Sequence, residues 1–460
     1  METSGRRRRR PTLTGQEERE ELSVRRVIVD DLFGQYSYVL PQPTSDVDDV
    51  SKVFLLYGEN GSGKTTILKL IFHLLSAEGR KGHRSRVAQV PFRRFALELS
   101  DGHVISAERD HQSIEGNYTW LVQKNTKTVA SVECHVDASM RVKPGDNDEE
   151  PYTRVLSAIK HLGLAVYYLS DDRTLVGDSI DQSRLRTRQF LARQSHMTDL
   201  ESTAQMLMTD DGRTLELQDA VERVSNWARN QALLGSNRGQ TSSNSVYIDL
   251  VRRIATSQDF NESEAPDTVA ELQTRIQLLA ERSGSFARFR LAPAMPAAEL
   301  LDLIQRSTQA KYLLLSQILR PYLDGVEARL AALQELHDTV EVFVESLNSF
   351  FVGKRVQFDL ARGLTIESAR GKSLDPAMLS SGERHLLLLF CNILWTRDRR
   401  TIFLVDEPEL SLNTKWQRQL IDALIRCSRN SALQFIMATH SVELLAGHLH
   451  NVVRLSTEAA

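Results

Sequence analysis

Cysteine is scarce: Cys134, Cys391 and Cys427 are the only three in 460 residues. They are too few and too far apart for a disulfide framework or a metal-binding spacing. Long apolar runs are missing as well. The strongest, Leu386 to Trp395, is broken by Asn392 and falls well short of the roughly 18 residues of a membrane span, so it reads as a core helix. Charge of one sign is also absent in bulk, since the formal net charge is −3 and nothing global draws the chain to a polyanion. What remains, 41% hydrophobic and 25% charged residues, is ordinary for a globular protein. With no signal peptide in view, a cytoplasmic location and no membrane partner are expected.

Four short stretches carry the chemistry. The first, GENGSGKT at Gly58 to Thr65, follows the apolar run Val53 to Tyr57 and precedes an amphipathic stretch, Thr66 to Phe72. Strand, glycine-rich loop and helix in that order make a P-loop. Gly58, Gly61 and Gly63 let the backbone N–H groups turn inward around a β-phosphate, with Asn60 and Ser62 in the same loop. Lys64 is placed for the β/γ-phosphates, Thr65 for Mg²⁺ and Thr66 for the α-phosphate, so ATP and Mg²⁺ are the expected ligands.

The second, IFLVDEPE at Ile402 to Glu409, puts two adjacent carboxylates at the end of a buried strand, where parallel α/β sheets hold their ligands. Asp406 is the expected Mg²⁺ partner and Glu407 the expected general base for the attacking water. A P-loop calls for such an acidic group on a neighbouring strand. The third, LSSGE at Leu379 to Glu383, opens the apolar helix His385 to Trp395. Taken alone, Ser380 and Glu383 have capping-box spacing. A Ser-Ser-Gly helix start also presents unpaired donors and a positive dipole end to an anion. The fourth, ATHS at Ala438 to Ser441, follows the strand Gln434 to Met437.

Together these stretches resemble the ABC-type ATPases, in the branch of the SMC- and RecF-type DNA-repair and chromosome-structuring ATPases and the OLD-family ATPases. The resemblance covers Val24 to Arg173 and Phe351 to Leu455. It implies that LSSGE is a signature motif, with Ser380, Ser381, Gly382 and Glu383 contacting the γ-phosphate bound by a second copy of the chain. ATP would then join two heads in a homodimer or higher oligomer. It implies further that Glu409 to Asn413 is a D-loop and His440 the switch histidine, catalytic with Glu407. Asn413 departs from the histidine many stand-alone members carry. No glutamine marks a Q-loop after Val166 to Leu169, and Arg173 is the residue placed near the nucleotide or the lobe junction.

The expected fold is an α/β P-loop head with an antiparallel β lobe, split by an inserted helical domain. The divisions are a basic and acidic tail (1–22), an N-terminal lobe with the P-loop (23–173), a helical insertion (174–350) and a C-terminal lobe (351–460). In the tail, Arg6 to Arg10 and the acidic Glu17 to Glu21 read as solvated charge, with phosphate binding or an acidic partner as the alternative. Strands are expected at Val24 to Val29, Tyr36 to Leu40, Phe95 to Leu99, Val104 to Ala107, Tyr118 to Val122 and Val129 to His135. Glu78 to Arg86 reads as a Gly- and Arg-rich loop. Helices are expected at 215–234, 246–254, 265–282, 297–319 and 322–350, with a flexible break at Gly235 to Ser245. The stripe Leu323, Val326, Leu330, Leu333, Leu336, Val340 and Val344 fits either a short coiled-coil hairpin or bundle core.

Because the chain ends soon after His440, no fused nuclease is expected. The resemblance is strongest to stand-alone ATPases of anti-phage systems of the PARIS and Septu type, which implies regulation of a separate effector such as a nuclease. A RecF-like DNA clamp, with Arg80 to Arg86 and Arg93–Arg94 lining the heads, and a transporter subunit are the alternatives.

Overall fold

The computed structural model describes residues 22–41, 52–79, 81–110, 113–142, 149–172, 175–177, 210–255 and 268–455. In chain order the elements begin with strands β1 (Val24–Leu32), β2 (Tyr36–Leu40) and β3 (Val53–Tyr57), then helices α1 (Lys64–Leu75) and α2 (His83–Ala88). Strands β4 (Arg94–Leu99), β5 (His103–Glu108), β6 (Tyr118–Lys124) and β7 (Lys127–Cys134) follow, with helix α3 (Glu149–His161) and strands β8 (Ala165–Leu169) and β9 (Leu175–Gly177). The helical part comprises α4 (Asp210–Ala255), α5 (Val269–Arg288), α6 (Ala297–Gln305) and α7 (Gln309–Phe350). Strands β10 (Lys354–Asp359), β11 (Gly363–Ser368) and β12 (Ser373–Leu374) lead to α8 (Ser381–Thr396). The chain closes through β13 (Thr401–Asp406), α9 (Thr414–Cys427), β14 (Leu433–Thr439), α10 (Val442–Leu445) and β15 (Val452–Arg454).

Distant stretches share one sheet, in the order β15-β3-β14-β13-β8-β9, parallel except for β9. Its central strands are buried on both faces, as continuous apolar runs in parallel sheets are. Along β13, Ile402 and Leu404 join one core while Phe403 and Val405 join the other, the period-two alternation of a strand. The first core holds α1 and the antiparallel sheet β2-β1-β4-β5-β6-β7; the second holds α8, α9 and the end of α7. The head is thus the expected α/β architecture with an antiparallel lobe and a helical insertion. Gln434, buried at the start of β14, joins the two sheets: its side chain accepts from Val24 N at 2.7 Å and donates to Val24 O at 2.8 Å.

Three sequence expectations need correction. The stretch Gly235 to Ser245 is no break but part of α4. A Cβ at Gly235 would lie 2.7 Å from Leu333 Cδ2 and 3.0 Å from Ala332 O, so this glycine admits α7 at close range. That contact offsets the ~1 kcal/mol a helical glycine costs. The helix expected at 297–319 is split into α6 and the start of α7, and α7 runs on through Pro321 into the stretch expected at 322–350; Leu319 and Leu323, both buried, anchor the chain before and after the proline. The Arg-rich loop contains α2.

In α7 the stripe Leu323, Leu330, Leu333, Leu336, Val340 and Val344 is buried, packed against α4 and α5. Helix α5 begins with a capping box between Thr268 and Glu271. No helix among the described residues is long and apolar enough to cross a membrane.

Candidate nucleotide site at the strand ends

Strand register brings the motifs to one edge. Leu56 pairs with Ala438, and Ala438 with Asp406, so β3, β14 and β13 end at the same level. The acidic strand is not the immediate neighbour of the P-loop strand, as expected; β14 lies between them. Helix α1 makes the crossing instead, because its first turn swings Thr65 over β14 to Asp406.

The P-loop itself is tightly braced. Gly61 and Gly63 have φ of +87° and +89°, the left-handed region that glycine enters without penalty. A Cβ at Gly63 would meet Leu32 Cδ2 at 2.7 Å, so the β1–β2 hairpin leaves no room for a side chain. Tyr38 Oη donates to Ser62 O at 3.1 Å; burial, helped by Tyr36, pushes the Tyr38 phenol up to about 12. Lys64 is buried, donating from Nζ to Gly58 O at 2.8 Å and Glu59 O at 2.9 Å. The Ser62 hydroxyl is buried with no hydrogen-bond partner among the described residues. Asn60 and Gly61 are exposed, while Thr65 and Thr66 are half-buried.

Asp406 is 2% exposed at the end of β13. Its Oδ1 accepts from Thr65 Oγ1 at 3.1 Å and its Oδ2 from Tyr168 Oη at 3.1 Å. Burial raises the Asp406 carboxyl above its ordinary value against those two hydrogen bonds, because a charged group in a low-dielectric site loses its hydration. Burial and Asp406 together raise the Tyr168 phenol. Sequence reasoning saw Tyr168 only as part of a strand. The usable signal was a tyrosine in a buried strand, whose hydroxyl must find a partner.

Glu407 occupies a left-handed backbone conformation, φ +51°, and its N–H donates to Ala438 O at 2.9 Å. Such conformations cost of order 1 kcal/mol or more in a non-glycine residue. The result aims its side chain across the strand end, where Oε2 lies 2.6 Å from His440 Nδ1. Burial, and then the neighbouring Glu409, push the Glu407 carboxyl above its ordinary range, with His440 opposing. Glu409 is buried beneath the loop of His440, its Oε1 accepting from Thr439 Oγ1 at 2.5 Å, His440 N at 3.0 Å and Ser441 N at 3.1 Å. Asn413 is the N-cap of α9, accepting from Trp416 N at 3.0 Å, which explains an asparagine there.

The LSSGE segment is built differently. Ser380 caps α8 and forms the capping box with Glu383, while Lys354 Nζ donates to Glu383 Oε2 at 2.6 Å. Burial pushes the Glu383 carboxyl up, but Lys354 and the Ser380 donors outweigh it and hold it below its ordinary value. Ser380 and Ser381 are exposed; Gly382 and Glu383 are buried. A Cβ at Gly382 would stand 2.6 Å from Ser411 O, so the glycine lets the segment rest on the turn after the acidic pair. The hydrogen bonds of Ser380 and Glu383 run to each other and to Lys354, none to residues 58–66.

The basic candidates differ in exposure: Arg86 is exposed, and Arg93 and Arg94 are partly so. Arg84 is buried, stacked 3.5 Å over the Trp120 ring and donating to Leu74 O. Arg93 pairs with Asp31 at 3.4 Å and Arg94 with Glu108 at 3.1 Å. Arg80, Arg173, Arg6 to Arg10 and Glu17 to Glu21 lie outside the described residues.

The residues fit the expected ligands. Thr65 and Asp406 offer hard oxygen donors of the kind Mg²⁺ takes, and the buried Ser62 hydroxyl, the Lys64 ammonium and the helix start suit phosphate.

Comparison with known proteins agrees with this class of site. Residues 234–446 match the family described as AAA domain, putative AbiEii toxin, Type IV TA system; that span holds LSSGE, the acidic strand and His440 but not the P-loop. The lipoprotein-releasing system ATP-binding protein LolD of Ruegeria pomeroyi is 40% identical over 81 residues, 18% of this chain and 34% of the relative. The energy-coupling factor transporter ATP-binding protein EcfA1 of Thermotoga maritima is 27% identical over 189 residues, 41% of this chain and 63% of the relative. The chain therefore spans less than two thirds of either relative's length. Among solved structures, an Smc head domain with an extended coiled coil bound to the C-terminal domain of ScpA, from Pyrococcus furiosus, overlays at a TM-score of 0.38 with 13% identity, covering 94% of this chain and 93% of that one. An Smc head with a coiled coil and joint from Pyrococcus yayanosii gives 0.35 with 16% identity, covering 94% and 95%. Motifs and sheet order make a P-loop α/β head, to which the two ATP-binding relatives are similar over part of their length.

Proposed function

We propose that the chain is an ATP hydrolase whose heads pair across two nucleotides and whose cycle controls a separate effector. The observation that carries the hydrolase reading is the convergence at one sheet edge of Lys64, Thr65, Asp406, Glu407 and His440, linked by the Thr65–Asp406 and Glu407–His440 contacts. Lys64 and the loop N–H groups hold the phosphates. Mg²⁺, held by Thr65 and Asp406, would neutralise charge on the β- and γ-phosphates. Glu407 takes the proton of the attacking water, and a carboxyl raised by burial is the better base. His440 orients Glu407 and faces the γ-phosphate.

Because Ser380 and Ser381 are exposed and make no bond to their own P-loop, they are free to complete the site of a second copy, with Gly382 N–H and the start of α8. Glu407→Gln tests the chemistry: ATP stays bound, turnover falls by about 10²–10⁴ and an ATP-held oligomer accumulates on gel filtration. Near-normal turnover would sink Glu407 as the base.

For the effector, a nuclease in anti-phage defence is the reading we favour. Two features support it: the matching family's description names a toxin of a toxin–antitoxin system, and α7 reaches the signature helix directly. Phe350, its last residue, lies 5.9 Å from the ring of Phe390 in α8 and 6.1 Å from that of Trp416. A partner that moves the helical insertion thus moves the signature. Purification from the native host tests this, with a bound nuclease expected. Recovery with membranes would favour the transport systems in which the two named relatives serve, and recovery with protein-free DNA a RecF-like clamp.

A further inference from the structure

Glu409 stands two residues beyond the expected base and takes no part in the proposed chemistry, yet one of its oxygens accepts three hydrogen bonds. Only 5% exposed, it gathers on one oxygen the Thr439 hydroxyl and the backbone N–H groups of His440 and Ser441. The same oxygen lies 3.4 Å from His440 Nδ1. Its own carbonyl accepts from Leu412 N at 3.0 Å, inside the turn whose Ser411 O faces Gly382. Gln417 closes the frame: its Nε2 donates to Leu412 O at 2.9 Å, and Ser441 Oγ donates to its Oε1 at 2.7 Å.

From this frame we infer that Glu409 is a positioning residue: it fixes the His440 loop at the height where the imidazole meets Glu407, and locks that loop to the turn on which the signature segment rests. The inference rests on the hydrolase reading above. Two adjacent backbone donors and a hydroxyl on one buried carboxylate oxygen define a single loop geometry, since all three must converge on one point. A shift of the base or its partner by about 1 Å is enough to cost on the order of 10² in rate.

Two substitutions test this beside wild type and Glu407→Gln. In Glu409→Ala the turnover number should fall on the order of 10²-fold while ATP affinity by calorimetry stays within about twofold, since the P-loop is untouched. Glu409→Gln keeps an acceptor oxygen for the three donors, so it should recover most of that loss. A fall in affinity matching the fall in turnover, or a Gln variant as impaired as Ala, would overturn the positioning role. If Glu409→Ala does not fold, Glu409→Asp, which keeps the charge but shortens the reach to the three donors, decides in its place: lowered turnover at unchanged affinity supports the role, and wild-type turnover overturns it. Should neither wild type nor Glu407→Gln hydrolyse ATP, the hydrolase reading fails; if wild type turns over and Glu407→Gln is dead while Glu409→Ala is fully active, only this inference fails.

Discussion

The two halves of the candidate site contrast in how they are held. The P-loop half is closed within one chain: Lys64 is buried on its own loop's carbonyls, Thr65 and Tyr168 share Asp406, and Leu32 and Tyr38 brace the loop from the antiparallel lobe. The signature half is capped within the chain but only partly covered. Glu383 is fully engaged beneath the surface, while Ser380 and Ser381 face outward. Under the proposed pairing of two heads, the exposed serines are the part that a second copy would cover.

The sharpest way to break the contrast is Lys64→Ala. Removing the only buried cation of the P-loop should abolish measurable ATP binding by calorimetry and all turnover, because the phosphates lose their point charge while the sheet persists. Unchanged affinity would dismantle the P-loop half.

Next in size is the test of the two-chain site. Ser380→Arg puts a bulky side chain on the exposed half only, so the isolated chain should still bind ATP but neither associate nor hydrolyse. Mixed with Lys64→Ala, it should regain partial activity, since one of the two composite sites in a heterodimer carries neither lesion. Heterodimers without activity would mean strict two-site cooperativity, or a segment that is only a helix cap. Ser380→Ala separates these. Loss of a cap costs about 0.5–2 kcal/mol and would show in thermal stability alone, whereas loss of a γ-phosphate donor would show in turnover.

The smallest effect is on stability and carries a sign. The folded Asp406 carboxyl sits above its ordinary value, so the folded chain binds the proton more tightly than the unfolded one. Its contribution is present at pH below the ordinary carboxylate range and is lost as pH rises through the raised folded value. Asp406→Asn removes that loss. Its Tm at neutral pH should exceed wild type, by about 2–4 °C for each kcal/mol released, with turnover gone and the two curves meeting at acid pH. A lower Tm at neutral pH would show that the hydrogen bonds from Thr65 and Tyr168 outweigh the burial of the charge.

The residues that act through backbone geometry and short spacing were legible in the sequence. The P-loop, the DE pair, LSSGE and His440 each sit at a strand end or helix start that local pattern marks. Tyr168, Glu409 and Gln434 were not legible as partners, because each gains its role from an element far away in sequence: β13, the His440 loop and β1. The misread stretches share that cause. Gly235 and Pro321 look like breaks by local propensity, and the packing of α4 on α7 overrides it, since buried Leu333 and Leu323 contribute more than the local cost.

The sequence by itself therefore determined the local frame of each motif, strand end or helix start, and the alternation of apolar residues that makes β13 and β14 two-faced strands. Only the tertiary structure decided which motifs meet. It set β14 between the P-loop and the acidic strand, placed Thr65 over it, seated Glu409 under His440 and left Ser380 facing outward. The physical reason is that spacing along the chain fixes periodicity and caps, whereas the pairing of strands separated by hundreds of residues is chosen by burial and hydrogen-bond satisfaction across the whole fold.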